Sequence, residues 1–250
     1  MNVPSNVMAS RFERASELEA FARLIDKTGL CQRSDLIYGA VKVLRDKTSA
    51  FHTPGTTDYA CWGYDIQNLP FIFDVLPRRH IRPTSIHSMK LEIDVSVLCN
   101  DTNWQTNSDP FISMNFRARI IGTDSHKEYS FGYHVDKHNG PESEEVHPVY
   151  HLQYDPLVNN DSELGTVLFL DTPRIMHVPI DLILGLDMVF SNFLPKVWNS
   201  LRDETEYQSL YTKYVDLIWK PYVQTWASHW SFKPDELNWN LPNMICPYLM

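Results

Sequence analysis

Three successive stretches of this chain alternate strictly between apolar and polar residues, and that alternation limits what the middle of the chain can become. Met89, Leu91, Ile93, Val95 and Val97 share one face, with Lys90, Glu92, Asp94 and Ser96 on the other. Ile112, Met114, Phe116, Ala118 and Ile120 repeat the pattern against Ser113, Asn115, Arg117 and Arg119. Tyr129, Phe131, Tyr133 and Val135 repeat it again against Glu128, Ser130, His134, Asp136 and His138. A period of two is the signature of a strand buried on one side only, so each stretch needs a covering layer on a single face. Gly122 to Asp124 supplies a turn between the second and third stretch, and an antiparallel meander follows. Val149 to Tyr154 reads as a fourth strand, with Pro148 confined to its start because it has no N–H to donate, and Val167 to Leu170 as a fifth.

The flanks are helical. Ser10 with Glu13 reads as a capping box, and Phe12, Ala15, Leu18, Phe21, Ala22 and Ile25 follow at helical spacing as far as Gly29. Ser34 precedes Leu36, Ile37, Ala40, Val41 and Leu44, a second helix folding back on the first, so residues 1–47 form a helical hairpin. Pro54, Gly55, Pro70, Pro77 and Pro83 break the pattern across residues 48–84, an irregular segment in which Phe71, Ile72, Phe73 and Val75 supply a short strand. After the sheet of residues 85–171, Ile180 to Leu194 is about 15 residues long and carries Asp181 and Asp187, too short and too charged for a bilayer span, and reads as a buried helix. Lys196 to Leu201 reads as a further helix, set off from it by Pro195. Tyr207, Tyr211, Tyr214, Ile218, Tyr222, Trp226 and Trp230 then make an aromatic ribbon on a helix kinked at Pro221. The expected fold is one α+β domain over residues 1–250: an N-terminal helical hairpin, a central antiparallel sheet of about five strands, and C-terminal helices packed on the sheet.

Charge and composition narrow the function. Asp and Glu outnumber Lys and Arg by 31 to 22, so the net charge of −9 repels phosphate backbones and argues against general nucleic-acid binding. Cys31, Cys61, Cys99 and Cys246 form no C-x-x-C pair and read as reduced thiols, and Met1 to Arg14 lacks the apolar core of a signal peptide. The expectation is a soluble cytoplasmic protein with no membrane contact. Walker-type lysine loops, glycine-rich dinucleotide fingerprints, G-x-S-x-G elbows and H-E-x-x-H helices are all missing.

Side-chain chemistry concentrates in two histidine-bearing runs, Tyr133-His134-Val135-Asp136-Lys137-His138 and His147-Pro148-Val149-Tyr150-His151-Leu152-Gln153. If they pair as a hairpin with both apolar faces on one side, even positions of the first must oppose odd positions of the second. The loop length permits His134 opposite His151, with His138 opposite His147 and Asp136 between the pairs, and opposed side chains start about 4.5 to 5.5 Å apart at Cβ. Three uses are open. A divalent metal could be held by His134, Asp136 and one of His147, His151 or His177, since two imidazoles and a carboxylate leave coordination positions for substrate. Two facing imidazoles near neutral pKa could instead act as general base and acid on a phosphodiester, with His134, Asp136 and His151 as the catalytic set. Or the polar face simply meets water, as Lys90, Glu92, Arg117 and Arg119 on neighbouring strands would.

Two other features invite a ligand or a partner. Arg78, Arg79 and Arg82 form a basic run with His80, and together with Arg117, Arg119 and Arg174 they are candidates for holding a phosphate or an acidic partner. Trp219, Trp226, Trp230 and Trp239 make a dense aromatic end that reads as core or, if exposed, as a partner surface.

Tyr133-His134-x-Asp136, His147-Pro148-x-x-His151-Leu152, Pro173-Arg174 and the apolar helix that follows resemble uncharacterised prokaryotic proteins grouped as domain of unknown function 2290, over Glu128 to Leu194. The resemblance implies the company of mobile or antiviral defence genes. Two functions are therefore expected: a recognition module or subunit of a prokaryotic multiprotein system working through protein contacts or self-association, or a His/Asp-centred hydrolase, metal-dependent or not, acting on a phosphoester or nucleic acid.

Overall fold

The computed structural model describes residues 4–48, 61–74, 81, 83–105, 108–138, 147–155 and 173–228. Six strands form one sheet in sequence order: β1 (Cys61–Phe73), β2 (Ser88–Asn100), β3 (Phe111–Thr123), β4 (Glu128–Lys137), β5 (Tyr150–Tyr154) and β6 (Ile175–Met176). Every neighbouring pair is antiparallel. Around them lie α1 (Ser5–Thr28), α2 (Asp35–Arg45), the short α3 (Asp101–Gln105), α4 (Leu182–Phe193), α5 (Pro195–Arg202), α6 (Thr205–Tyr214) and α7 (Lys220–Ser228). The α+β architecture read from the pattern is the one observed, with six strands in place of about five: the short strand expected at Phe71–Phe73 is the end of a longer β1, Val75 lies outside the described residues, and β6 is an addition. The expected strand over Val167 to Leu170 lies outside the described residues.

The alternation does what its period requires. Leu91, Ile93, Val95 and Val97 of β2 and Met114, Phe116 and Ala118 of β3 are buried on one face, against Leu18, Phe21, Ile183, Leu186 and Phe190 of the helices. The other face carries the charges. There Arg119 pairs with Glu92, and Lys90 with the same carboxylate at 3.0 Å.

The segment read as irregular holds the 13-residue β1, the largest departure from the expectation. Its inward residues are Tyr64 and Ile66, then Leu69, Phe71 and Phe73, because the pairing with β2 shifts between Ile66 and Leu69. A bulge there, with Asn68 at φ 55° and its N–H bonded to Asp94 Oδ1 at 2.7 Å, reverses the parity mid-strand. The alternation therefore vanishes from a simple period-two count. Pro70 is tolerated because β1 is the terminal strand of the sheet. Leu30 and Gln32 hydrogen-bond to that outer edge through Ile72 N–H and the Pro70 carbonyl.

At the N-terminus, α1 begins at Ser5 behind Pro4, not at Ser10. Met8 N–H already bonds to the Pro4 carbonyl at 3.0 Å, so Ser10 lies inside the helix and cannot cap it. Glu13 turns outward to Arg14 and to Lys213 of α6. Gly29 does end α1, with φ 68° in the left-handed region. The fully buried Arg11 locks α2 onto α1 by donating to the carbonyls of Leu44, Val43 and Asp46 at 3.0, 3.0 and 2.8 Å. The Val43 carbonyl also accepts the Asp46 N–H at 3.3 Å, and at this helix end, where the last carbonyls run out of intrahelical donors, the guanidinium serves as a C-terminal cap.

The C-terminal helix carries a π turn at Val215–Trp219, just ahead of Pro221. Proline lacks an N–H and its ring crowds the carbonyl four residues back, and the wider turn accommodates both. In α4, Gly185 lets the helix sit directly on β3, since a Cβ there would overlap the ring of Phe116. Phe116 is fully buried and has nowhere to retreat. Gly185→Ala should therefore cost about 1–3 kcal/mol, seen as a lower urea midpoint at unchanged slope; an unmoved midpoint would mean that the two layers are not held in contact here.

Asp181 caps α4, accepting the Leu184 N–H at 3.0 Å, yet is almost wholly buried. Burial raises its pKa to about 7, against the lowering effect of the N–H groups of Leu184, Ile183 and its own backbone. A carboxyl whose folded pKa exceeds its unfolded one binds more protons when folded, so stability should fall as pH rises from about 4 to about 7 and stay level above. Asp181→Asn keeps the accepting oxygen without the charge. The variant should melt higher than the parent at pH 8, by a few kcal/mol at most, and match it near pH 4. Parallel pH profiles for the two proteins would contradict this.

Candidate metal centre

β4 and β5 present the histidines on the charged face of the sheet. Their ladder pairs Asp136 with His151, His134 with Gln153 and Lys137 with Tyr150. The parity is the expected one, even against odd, but the register differs by two residues, so His134 lies diagonal to His151 instead of opposite it. Contacts outside the hairpin fix this register. Tyr150 points into the core and donates to Asp109 Oδ1 at 2.6 Å, and Lys137 on the same side reaches Asp109 Oδ2 at 2.9 Å. At the open end of the hairpin itself, the Asp155 N–H extends the same register by donating to the Gly132 carbonyl at 2.9 Å.

With this register His134, Asp136 and His151 each bring one donor atom within 4.8 Å of the others. The side chain of His151 is 3% exposed and that of Asp136 30%, so one ligand is interior and the cluster opens on the other side. His151 Nε2 lies 3.0 Å from Asp136 Oδ1. This contact is one of charge more than of direction, because neither Asp136 Oδ1 nor His151 Nδ1, both buried, has a directed hydrogen bond among the described residues. Burial alone would raise the Asp136 pKa, but the His151 contact and the charge of His151, His134 and His147 outweigh it and hold the carboxyl below its usual range. An ionised carboxylate, two imidazoles and buried polar atoms lacking directed partners suit a divalent cation, which takes lone pairs and needs no N–H alignment.

His134 is oriented from behind. Its Nδ1 lies 3.2 Å from Asp155 Oδ1, and Asp155 is in turn held by Arg117, with Nε and an Nη both 2.9 Å from Oδ2. A polar recess of about 440 Å³ adjoins the cluster, lined by Gln67, Asp94, Ser96, Asn115 and Arg117 beside His134 and Asp155.

The remaining histidines of the two runs surround the centre without entering it. His138 and His147 stack with ring centroids 3.7 Å apart, although in the ladder His138 N–H bonds to Val149 and not to His147. His147 also meets the edge of His151 at 4.6 Å between centroids. Its pKa falls to about 4, through burial first and then repulsion from His138, His151 and Arg174. Burial likewise lowers the pKa of His177, whose Nδ1 is 2.6 Å from the Val178 carbonyl. Neither His147 nor His177 joins the three donors.

Of the proposed anion ligands, Arg174 is half-buried near His147, Arg117 and Arg119 are paired to carboxylates on the sheet face, and Arg78, Arg79 and Arg82 lie outside the described residues. Trp219 donates to the Pro179 carbonyl at 2.8 Å, and Trp226 packs partly buried against the core. Trp230 and Trp239 lie outside the described residues. The sequence reading missed Asp155 and the recess residues Gln67 and Asp94. Asp155 was accessible to it, since it continues the face of His151 and Gln153 by one more step of two.

No helix among the described residues is long and apolar enough to cross a membrane. Comparison with protein-family models, with curated proteins and with solved structures yields no match.

Proposed function

We propose that the chain is a metal-dependent hydrolase whose divalent ion is held by His134, Asp136 and His151. The observation that carries this is the convergence of three donors within 4.8 Å, one of them an almost wholly buried imidazole. Two imidazoles and one carboxylate are the donor set of zinc, iron and manganese sites, and three protein ligands leave positions open for water and substrate. A bound ion would lower the pKa of a coordinated water toward 7 and polarise the bond to be broken. The chain's residues contribute orientation and polarity. His134 and Asp136 stay partly exposed on the open side, and the recess beside them offers amide, hydroxyl, carboxylate and guanidinium groups to a polar ester, with phosphoesters the substrate class we favour.

Protein stripped with chelator and titrated with Zn²⁺ or Mn²⁺ should take up one ion per chain. His151→Ala and Asp136→Ala should each lose more affinity than the ~10- to 100-fold typical of removing an outer partner, and hydrolysis of an activated phosphodiester should need the ion. Failure to retain any ion sinks the metal reading; turnover that persists in chelator points to acid-base chemistry by the imidazoles instead.

One observation favours a second reading, a subunit of a multiprotein assembly. Phe131, Tyr154 and Ile175 share the helix-bearing side of the sheet, yet remain 42%, 42% and 51% exposed. An apolar row of this kind suits a protein partner. Copurification with a neighbouring gene product, abolished by Phe131→Glu, would support it.

A further inference from the structure

We infer that Asp155 is a positioning residue for the centre: its carboxylate holds the Nδ1–H of His134 and so turns the Nε2 lone pair toward the ion. This rests on the metal reading above. An ionised carboxylate can only accept, so a hydrogen bond across the 3.2 Å between His134 Nδ1 and Asp155 Oδ1 requires the proton on Nδ1. The neutral ring then has one remaining lone pair, on Nε2. Such a carboxylate also makes the ring a stronger ligand, because it stabilises the positive charge that coordination draws onto the imidazole.

Asp155 is placed for this with little freedom. Its two oxygens divide their work, Oδ1 toward His134 and Oδ2 toward both nitrogens of Arg117 at 2.9 Å. Its N–H is tied to the Gly132 carbonyl at 2.9 Å, and its side chain is 17% exposed. Gly132 makes the room, since a Cβ at that position would overlap the Asp155 carboxylate. Arg117 of β3 stands opposite His134 of β4 in the ladder, so Arg117, Asp155 just past the end of β5, and His134 form one connected chain to the centre.

A purely structural ion pair between Arg117 and Asp155 would account for the same contacts, and the test must separate the two roles. In ion-free wild-type protein, ¹⁵N NMR of the imidazoles should show His134 as the Nδ1–H tautomer. Asp155→Asn can keep an oxygen toward Arg117 while its NH₂ donates to Nδ1, which should shift His134 to the Nε2–H tautomer and weaken Zn²⁺ binding ~10- to 100-fold. Gly132→Ala, which displaces the carboxylate without changing its chemistry, should weaken binding in the same direction. If wild-type protein binds no Zn²⁺, the metal reading itself fails. If it binds Zn²⁺ and Asp155→Asn binds equally with an unchanged His134 tautomer, the metal reading stands and the role given to Asp155 is overturned. Should Asp155→Asn not fold, the wild-type tautomer decides alone, because Nε2–H on His134 in the ion-free protein contradicts the inference.

Discussion

Asp136 faces His151 across the β4–β5 ladder, and the candidate centre depends on that pairing. It brings together residues 15 positions apart in the chain, and it does so on the side of the sheet that the helices leave open. The same ladder sends Tyr133, Val135 and Tyr150 to the opposite side, where all three are buried. Partition of the two faces is therefore the physical origin of the site. The apolar face collects helices because its burial drives folding, and the charged face remains free to collect groups that would be costly in a core. His151 is the exception on that face. It is buried by its neighbours, among them His147 and the adjoining β6, so on its side the interaction with Asp136 is screened less than that of the half-buried Arg119 with Glu92.

Much of this architecture could be read from residue periodicity, and the failures have identifiable causes. β2, β3 and β4 were legible because the middle of each is buried on one face only, which is the condition under which a period of two appears in sequence. β1 fails that condition at one point. Between Ile66 and Leu69 its inward set changes parity, and with Pro70 just beyond, the segment imitates a loop. The N-terminal capping box was misleading for a different reason: Ser10 and Glu13 have the spacing of a cap, but Pro4 starts the helix earlier, and spacing alone does not reveal which turn is the first.

For the candidate centre, parity was legible and register was not. Pattern fixes which faces meet, since a slip of one residue would exchange the buried and exposed sets. A slip of two preserves that exchange and costs nothing in pattern. What distinguishes the registers are contacts to residues remote in sequence, Asp109 for Tyr150 and Lys137, and Arg117 for Asp155. These involve β3 and the approach to it, and no inspection of the two histidine runs by themselves would reveal them. Asp155 differs in this respect, because its place on the face of His151 and Gln153 is readable from the step of two, and only its partners Arg117 and Gly132 are remote.

The core thus determines the geometry of the open face through β5. Tyr150 and His151 are adjacent in the chain and point to opposite sides, one to the ring of Phe111 and the carboxylate of Asp109, the other to Asp136. Moving β5 by two residues would place His151 opposite His134, but it would also draw Tyr150 away from Asp109 and leave the part-buried Asp109–Lys137 pair without its hydroxyl donor. Losing a hydrogen bond to a part-buried carboxylate costs on the order of 1 kcal/mol, and the Asp155 carboxylate would lose its place beside Gly132 as well. Both penalties fall outside the histidine cluster and both hold it in place. The spacing of His134, Asp136 and His151 is therefore set by packing on the far side of the sheet, which is the condition for a preorganised ligand set and the opposite of one assembled from mobile surface side chains.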